Sequence, residues 1–300
     1  MNFSEEIAKK TGQIEELIKA RLPKEEGYQR TVIEAADYAV LGGGKRLRPM
    51  LMEETAALFG GAGEELSYFM MALECIHTYS LVHDDLPAMD NDDYRRGRKT
   101  THIVYGEGMA VLAGDALLNF AFETAAAAFH KADTLTAYKR TARALQILGE
   151  KAGIYGMIGG QCADLKAEEM GEHVTEDMLL FIHEHKTAAL IQAAMMIGAV
   201  LAGAEDEAVS QIERCACNIG IAFQIQDDIL DVTGSQDVLG KPIGSDEKNN
   251  KLTYVSMHGL EESSKQVKTL SQEAIAILQS FPRRNLFLEE LVEQLIYREK

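Results

Sequence analysis

An all-α chain is predicted by three features of the sequence. Proline is scarce, with 5 among 300 residues, and interior proline is what breaks a helix most sharply. The uninterrupted stretches are rich in Ala, Leu, Met and Glu, which lose little on entering a helix. Apolar residues also recur at three- and four-residue spacing, as in Leu179, Ile182, Leu190-Ile191 and Ala194-Met195, and runs that alternate as strands do are absent.

Glycine-rich and polar breaks separate the helical runs: Gly42-Gly43-Gly44, Gly60-Gly61-Ala62-Gly63, Gly203-Ala204-Glu205-Asp206 and the segment 234–250. Runs near 69–83, 109–129 and 212–231 carry apolar residues on more than one face, which predicts burial on several sides. Ala125 to Ala128 reads as a site of close helix packing, and Met70-Met71 and Met195-Met196 as core filling. With no linker, repeat or shift in composition, the expectation is one helical-bundle domain over residues 1–300.

Hydrophobic residues make up 46% of the chain, enough for a substantial core. No uninterrupted apolar run approaches the roughly 20 residues of a membrane helix, so no membrane span is expected. The acidic start Met1-Asn2-Phe3-Ser4-Glu5-Glu6 resembles neither a signal nor a transit peptide. Cys75, Cys162, Cys215 and Cys217 lack the spacing of a zinc or redox site and read as buried, reduced thiols of a cytoplasmic protein. A net charge of −17 argues against nucleic acid as a partner. It also means that any anionic ligand must be held by cations gathered locally.

Two acidic clusters stand out. Leu81 to Asp93 contains Asp84, Asp85, Asp90, Asp92 and Asp93 directly after an apolar helical run. Asp is a poor helix-interior residue and like charges repel, so this is not an ordinary helix face. Pro87 prevents regular continuation of the helix, which places Asp84 at a helix end and brings Asp90 back from the following turn. The second cluster, Asp227, Asp228 and Asp231, closes another apolar run, and Asp227 and Asp231 share a helix face. All-oxygen donors suit a hard cation such as Mg²⁺, and neither cluster has the calcium loop's central Gly and final Glu. Either cluster alone is equally explained as a solvated acidic helix end; facing one another in a bundle, the two would clamp a diphosphate through shared metal ions.

Cationic segments accompany them. Gly43-Gly44-Lys45-Arg46-Leu47-Arg48 combines backbone amides that can approach an anion with the charges of Lys45 and Arg48; a flexible basic loop has the same composition. Arg95-Arg96-Gly97-Arg98-Lys99 abuts the first acidic cluster, where mutual neutralisation is the simpler reading. Lys186-Thr187 lies in a helical stretch and Lys241 in a polar one.

Taken together, Gly-Gly-Lys45-Arg-Leu-Arg48-Pro, Asp84-Asp85-Leu-Pro-Ala-Met-Asp90, Arg95-Arg96-Gly97, Gly160-Gln161-Cys-Ala-Asp164, Lys186-Thr187, Phe223-Gln224-Ile-Gln-Asp227-Asp228-Ile-Leu-Asp231 and Gly240-Lys241 resemble the trans-prenyltransferase family, in particular its bacterial farnesyl diphosphate synthases. The motifs stand in family order over nearly the whole chain. The resemblance implies an isoprenoid-synthase helical bundle around a central active-site cavity, a homodimer, and about three Mg²⁺ ions bound through Asp84, Asp90 and Asp227, with Asp85, Asp228 and Asp231 supporting them. It implies that Lys45, Arg48, His77 and Arg96 bind isopentenyl diphosphate. Arg95, Lys186, Thr187, Gln224 and Lys241 would contact the allylic diphosphate, with Lys186, Thr187 and Gln224 placed at the reacting centre. Read without the family, His77 is an ordinary core or capping histidine.

Product length is expected to depend on what lies beneath the first cluster. Ser80 and Tyr79 precede Asp84 by four and five positions, roughly 6–7.5 Å down a helix. A small residue followed by an aromatic floor, together with two extra residues inside the first motif, resembles the synthases of fifteen-carbon chains; geranylgeranyl synthases with that insertion typically lack the aromatic. Tyr79 as a plain core residue is the other reading. Arg98-Lys99-Thr100-Thr101 departs from the more usual Lys-Pro-Thr-Asn, which suggests a looser turn, and Tyr297 to Lys300 resembles the basic tail of the family, a fraying terminus being the equal alternative. Terpene cyclases usually mix Asn, Ser or Thr with Glu in the second motif, unlike the all-Asp cluster here. A non-catalytic subunit would have lost an element that this sequence keeps.

Overall fold

The computed structural model describes residues 2–233 and 252–296, the side chain of Glu172 excepted. The fold is all-α, as the sequence predicts. Among the described residues strands occur only as a two-residue pair, β1 (Tyr94–Arg95) and β2 (Arg98–Lys99), antiparallel with Arg95 opposite Arg98. Contacts group the chain into two compact units, residues 1–53 with 62–145, and residues 54–61 with 146–300.

The first unit contains α1 (Phe3–Lys19), α2 (Arg30–Val40), the start of α3 (Leu47–Leu58), α4 (Glu65–Asp84), the β1–β2 hairpin, α5 (Thr101–Tyr105), α6 (Glu107–Ala127) and the start of α7 (Leu135–Ala152). Helix α1 opens on a capping box in which Asn2 and Glu5 satisfy each other's backbone N–H. Helix α4 is the core element, buried from Phe69 to Ile76 and again at Thr78, Tyr79 and Val82. It packs on α6, whose buried face is made mostly of small residues, Ala110, Ala113, Gly114, Ala121, Thr124 and Ala125, with Leu117 among them. A Cβ at Gly114 would overlap the His83 ring, so glycine there leaves room for that imidazole between the two helices.

The second unit contains α8 (Met157–Met170), α9 (Glu176–Ile182), a π-helix (His183–Ala188), α10 (Ala189–Ala202), α11 (Asp206–Thr233), α12 (Tyr254–Ser280) and α13 (Leu286–Ile296). Every residue from Ala189 to Leu201 is buried. The methionine pairs read from sequence as core filling are buried, and of the alanines read as close packing Ala125 and Ala128 are buried while Ala126 is exposed. Of the cysteines expected to be buried, Cys75 and Cys215 are, whereas Cys162 is exposed and Cys217 half-buried. Helix α11 lies against both α10 and α12. Helix α12 starts with a Thr253–Ser256 capping box and is kinked at Gly259, whose φ is 77°. Two helical stretches, Glu107–Lys131 and Glu176–Ala202, are long and apolar enough to cross a membrane by composition, but the second is 78% buried within the protein.

One buried polar residue on α2 runs against this pattern. Asp37 is 9% exposed and its Oδ1 has no hydrogen-bond partner; burial, reinforced by Glu25, raises its carboxyl to about 6. A folded pKa above the unfolded value favours the fold at low pH, and that advantage is lost as pH rises through the folded pKa. Asp37→Asn is therefore expected to raise stability at pH 7 by about 1 kcal/mol, a partly screened fraction of the full linkage. Denaturant unfolding should show the gain shrinking between about pH 6 and pH 4; a constant gain, or a loss at pH 7, contradicts this.

Candidate active site

In the first unit the acidic cluster begins where α4 ends, at Asp84. Beyond it Leu86 N–H bonds to His83 O (3.2 Å), and Met89 and Asn91 N–H bond to Leu86 O (2.9 and 3.1 Å). Asn91 is left-handed, with φ 53°. The Asp90 N–H then reaches back to Asp84 O at 2.8 Å, so the two aspartates meet at one helix end. Asp84 is half-buried and Asp90 exposed, whereas Asp85 is buried and faces a different partner.

That partner is Arg95. Its Nε donates to both Asp85 oxygens (2.8 and 2.9 Å) and its Nη2 lies 2.6 Å from Oδ1, a bidentate charge-assisted pair. Arg95 precedes the turn residues Arg96 and Gly97, both of positive φ (52° and 74°), as a two-residue type I′ hairpin requires. The segment from Arg98, where the missing proline suggests a looser turn, instead begins as strand β2, with Lys99 paired to Tyr94 of β1. Arg96 extends to the glycine loop, where Nη1 donates to Gly43 O. A Cβ at Gly44 would lie 2.6 Å from the same nitrogen, so only glycine leaves room for the guanidinium.

The loop itself is fixed by Arg46, left-handed at φ 47°. Its buried guanidinium pairs with Glu74 Oε2 at 3.0 Å and donates to Val40 O at 2.7 Å. With Arg46 turned inward, Lys45 is exposed and Arg48 is half-buried. The Arg48 Nε is buried without a hydrogen-bond partner, and burial, opposed by Glu74 and assisted by Arg96, lowers its pKa to about 10. His77, one turn after Glu74, is held well below its ordinary pKa by burial and by Arg48, Arg96, Arg95 and Arg46. Glu74 balances Arg46 and Asp85 balances Arg95, which leaves Arg48 and Arg96 beside a neutral imidazole as an excess of positive charge that an anion would relieve. The structure thus brings together Arg48, His77 and Arg96, which the sequence reading named, and adds Arg46 and Glu74, which it did not.

Tyr79 is 5% exposed. Its ring meets His83 edge-on at 5.7 Å, and burial, with Asp84 adding, raises the phenol to about 12. Its hydroxyl is buried without a partner. Ser80 is half-buried and its Oγ is turned back onto His77 O at 2.8 Å.

The second unit holds a cavity of about 120 Å³. Lys186, Thr187, Gln224 and Asp228 line it on the polar side, and Leu179 and Ile182 are among its apolar walls. Lys186 Nζ pairs with Asp164 at 2.5 Å, Thr187 Oγ1 donates to Gln224 Oε1 at 3.0 Å, and Gln224 Nε2 is 3.4 Å from Asp228 Oδ1. Asp228 Oδ2 accepts the Tyr254 N–H at 2.9 Å, which anchors the first turn of α12. Lys186 and Thr187 project from the π-helix, a wide turn found often at functional sites. A Cβ at Gly160 would overlap the Lys186 backbone, and one at Gly220 would overlap Ala188, so two glycines grip this turn from α8 and α11. Asp227 and Asp231 lie on α11 beside Asp228. Lys241, the segment 234–250 and Tyr297 to Lys300 lie outside the described residues.

Among the described residues no three His, Cys, Asp or Glu side chains form a ready-made metal cage. The donors fit Mg²⁺ all the same, because that ion is commonly held by one or two carboxylates and completes its shell with phosphate oxygens and water.

The polyprenyl synthetase family model matches residues 29–291. The chain belongs to that family and is a trans-prenyltransferase that elongates prenyl chains. It is 44% identical over 279 residues to the farnesyl diphosphate synthase of Escherichia coli, a match covering 91% of each chain. It is 41% identical over 285 residues to the geranylgeranyl diphosphate synthase of Cyanophora paradoxa, covering 95% of this chain and 93% of the relative. The solved geranyltransferase of Helicobacter pylori in complex with magnesium and isoprenyl diphosphate superposes with a TM-score of 0.81 at 32% identity, covering 99% and 97% of the two chains.

Proposed function

We propose that the protein condenses isopentenyl diphosphate with dimethylallyl or geranyl diphosphate, in the presence of Mg²⁺, to give (2E,6E)-farnesyl diphosphate. The observation that carries the substrate reading is the excess of guanidinium charge around neutral His77, which a diphosphate would balance without metal. Lys45, Arg48, His77 and Arg96 would bind isopentenyl diphosphate there. Arg95, Lys186 and Lys241 would bind the allylic diphosphate, with Asp84, Asp90 and Asp227 holding magnesium and Asp85, Asp228 and Asp231 orienting their neighbours. Bound magnesium supplies charge neutralisation for the leaving diphosphate. Asp164 fixes the Lys186 ammonium, Thr187 and Gln224 present oxygen dipoles to the allylic cation, and apolar walls at Leu179 and Ile182 keep water away. The carbon–oxygen bond of the allylic substrate breaks, the double bond of isopentenyl diphosphate forms the new carbon–carbon bond, and the released diphosphate takes the proton. The match from 29 to 291 supports treating the chain as one catalytic domain, and nothing in the reaction calls for a membrane span, a nucleic acid or a site outside the cytoplasm.

Fifteen carbons is the reading that buried Tyr79, one position before small Ser80, supports. Incubation with Mg²⁺, isopentenyl diphosphate and either dimethylallyl or geranyl diphosphate should give mainly farnesyl diphosphate, and Tyr79→Ala should move the main product to twenty carbons or more by chromatography. Twenty carbons from the unmodified protein would instead support a geranylgeranyl synthase, and no turnover with either allylic substrate removes the enzyme reading in favour of a non-catalytic subunit.

We also infer a homodimer. Helices α5 and α6 expose Ile103, Val104, Val111, Leu112 and Phe122, with Leu112 53% exposed. Asp115, Asn119 and Glu123 are interleaved with them, which disfavours lipid and fits a second copy. Sedimentation equilibrium should give twice the chain mass, and Leu112→Glu should shift it toward the monomer; a monomeric parent protein at micromolar concentration overturns this.

A further inference from the structure

The β1–β2 hairpin carries Arg95 and Arg96 yet has little beneath it. It arches over a cavity of about 50 Å³ whose floor includes Thr78, Leu81 and Val82 of α4. Its residues are exposed apart from half-buried Arg95, and two strands of two residues are not stable by themselves. A few discrete contacts must therefore set its pose. Strand β1 is held by the Arg95–Asp85 pair and the turn by Arg96 on Gly43 O.

Strand β2 is held by Tyr38 of α2. The Tyr38 hydroxyl donates to Lys99 O at 2.7 Å, and the Arg98 guanidinium lies over its ring, 4.3 Å from the centroid. Tyr105 meets the same ring edge-on at 5.6 Å and 68°, fixing its plane. Because Arg98 is paired with Arg95 and the turn between them is Arg96-Gly97, a shift of β2 moves the Arg96 guanidinium directly.

We propose that Tyr38 is a positioning residue for Arg96: by clamping β2 through its hydroxyl and its ring, it sets the geometry of the diphosphate site around His77. The assignment of that site to isopentenyl diphosphate rests on the function proposed above; the clamp itself does not. Tyr38 is only half-buried, so its replacement is not expected to empty the core.

The test compares the parent protein, Tyr38→Phe and Tyr38→Leu. Calorimetric titration with inorganic diphosphate in EDTA, where only direct basic contacts operate, should show the dissociation constant rising about tenfold in Tyr38→Leu and about threefold in Tyr38→Phe, which keeps the ring. The KM for isopentenyl diphosphate should rise in the same order and by more than the KM for geranyl diphosphate, because Arg95 is also held by Asp85, while kcat stays within about twofold. Unchanged dissociation constants, no diphosphate binding by the parent protein, or a fall in kcat with both KM values unmoved would each overturn the proposal. If the titration series holds and the parent protein shows no turnover, the enzyme reading fails and the clamp stands.

Discussion

The Arg46–Glu74 ion pair is the contact on which the first unit's site depends. Both side chains are almost wholly buried, and removing one partner of such a pair typically costs about 3–5 kcal/mol, a large part of the roughly 5–15 kcal/mol by which proteins are stable. The pair fastens the glycine loop to the middle of α4. From there a chain of polar contacts returns to the end of the same helix: Gly43 O accepts from Arg96, the hairpin joins Arg96 to Arg95, and Arg95 grips Asp85. Helix α4 thus supplies both ends of a closed circuit, and the cationic site at His77 and the aspartates at its C-terminus are positioned by one rigid element.

A different device operates in the second unit. The π-helix cannot be held by propensity, since its wide turn is poorer than an α-turn, and packing must hold it instead. Gly160 and Gly220 let backbone from α8 and α11 press on both of its sides. Lys186 and Thr187 then reach the cavity from one short segment, and the hydrogen-bond chain Thr187–Gln224–Asp228–Tyr254 ties that segment to α11 and α12. The acidic residues that give the chain its net charge are, at these positions, the groups that orient its cations.

Much of this was legible in the sequence. Pro87 announced the end of α4 and the return of Asp90, and the helical runs were readable because their apolar residues repeat at helical spacing. Glu74 was a missed signal: one carboxylate inside the run Phe69–Ile76 has to be paired, and an inward-turned arginine was the natural partner. The hairpin was not legible, because two-residue strands leave no alternation to detect. Nor was the π-helix, since His183 to Ala188 has the composition of an α-helix and its width is imposed by glycines far away in the chain. Tyr38 belongs with these, a single aromatic whose role depends on long-range contacts. The roles assigned through family resemblance rest on motif order, and the contacts described here give them a physical setting.

The proposed activity requires two diphosphate sites of different kinds, one built from direct basic contacts and the other dependent on metal. Binding of isopentenyl diphosphate and of a non-ionising thiolo analogue of geranyl diphosphate, each titrated calorimetrically with Mg²⁺ and with EDTA, tests this most directly. The isopentenyl diphosphate constant should change by no more than about twofold, whereas the allylic analogue should lose about 100-fold or more in EDTA. Equal metal dependence for the two ligands, or none for either, would contradict it.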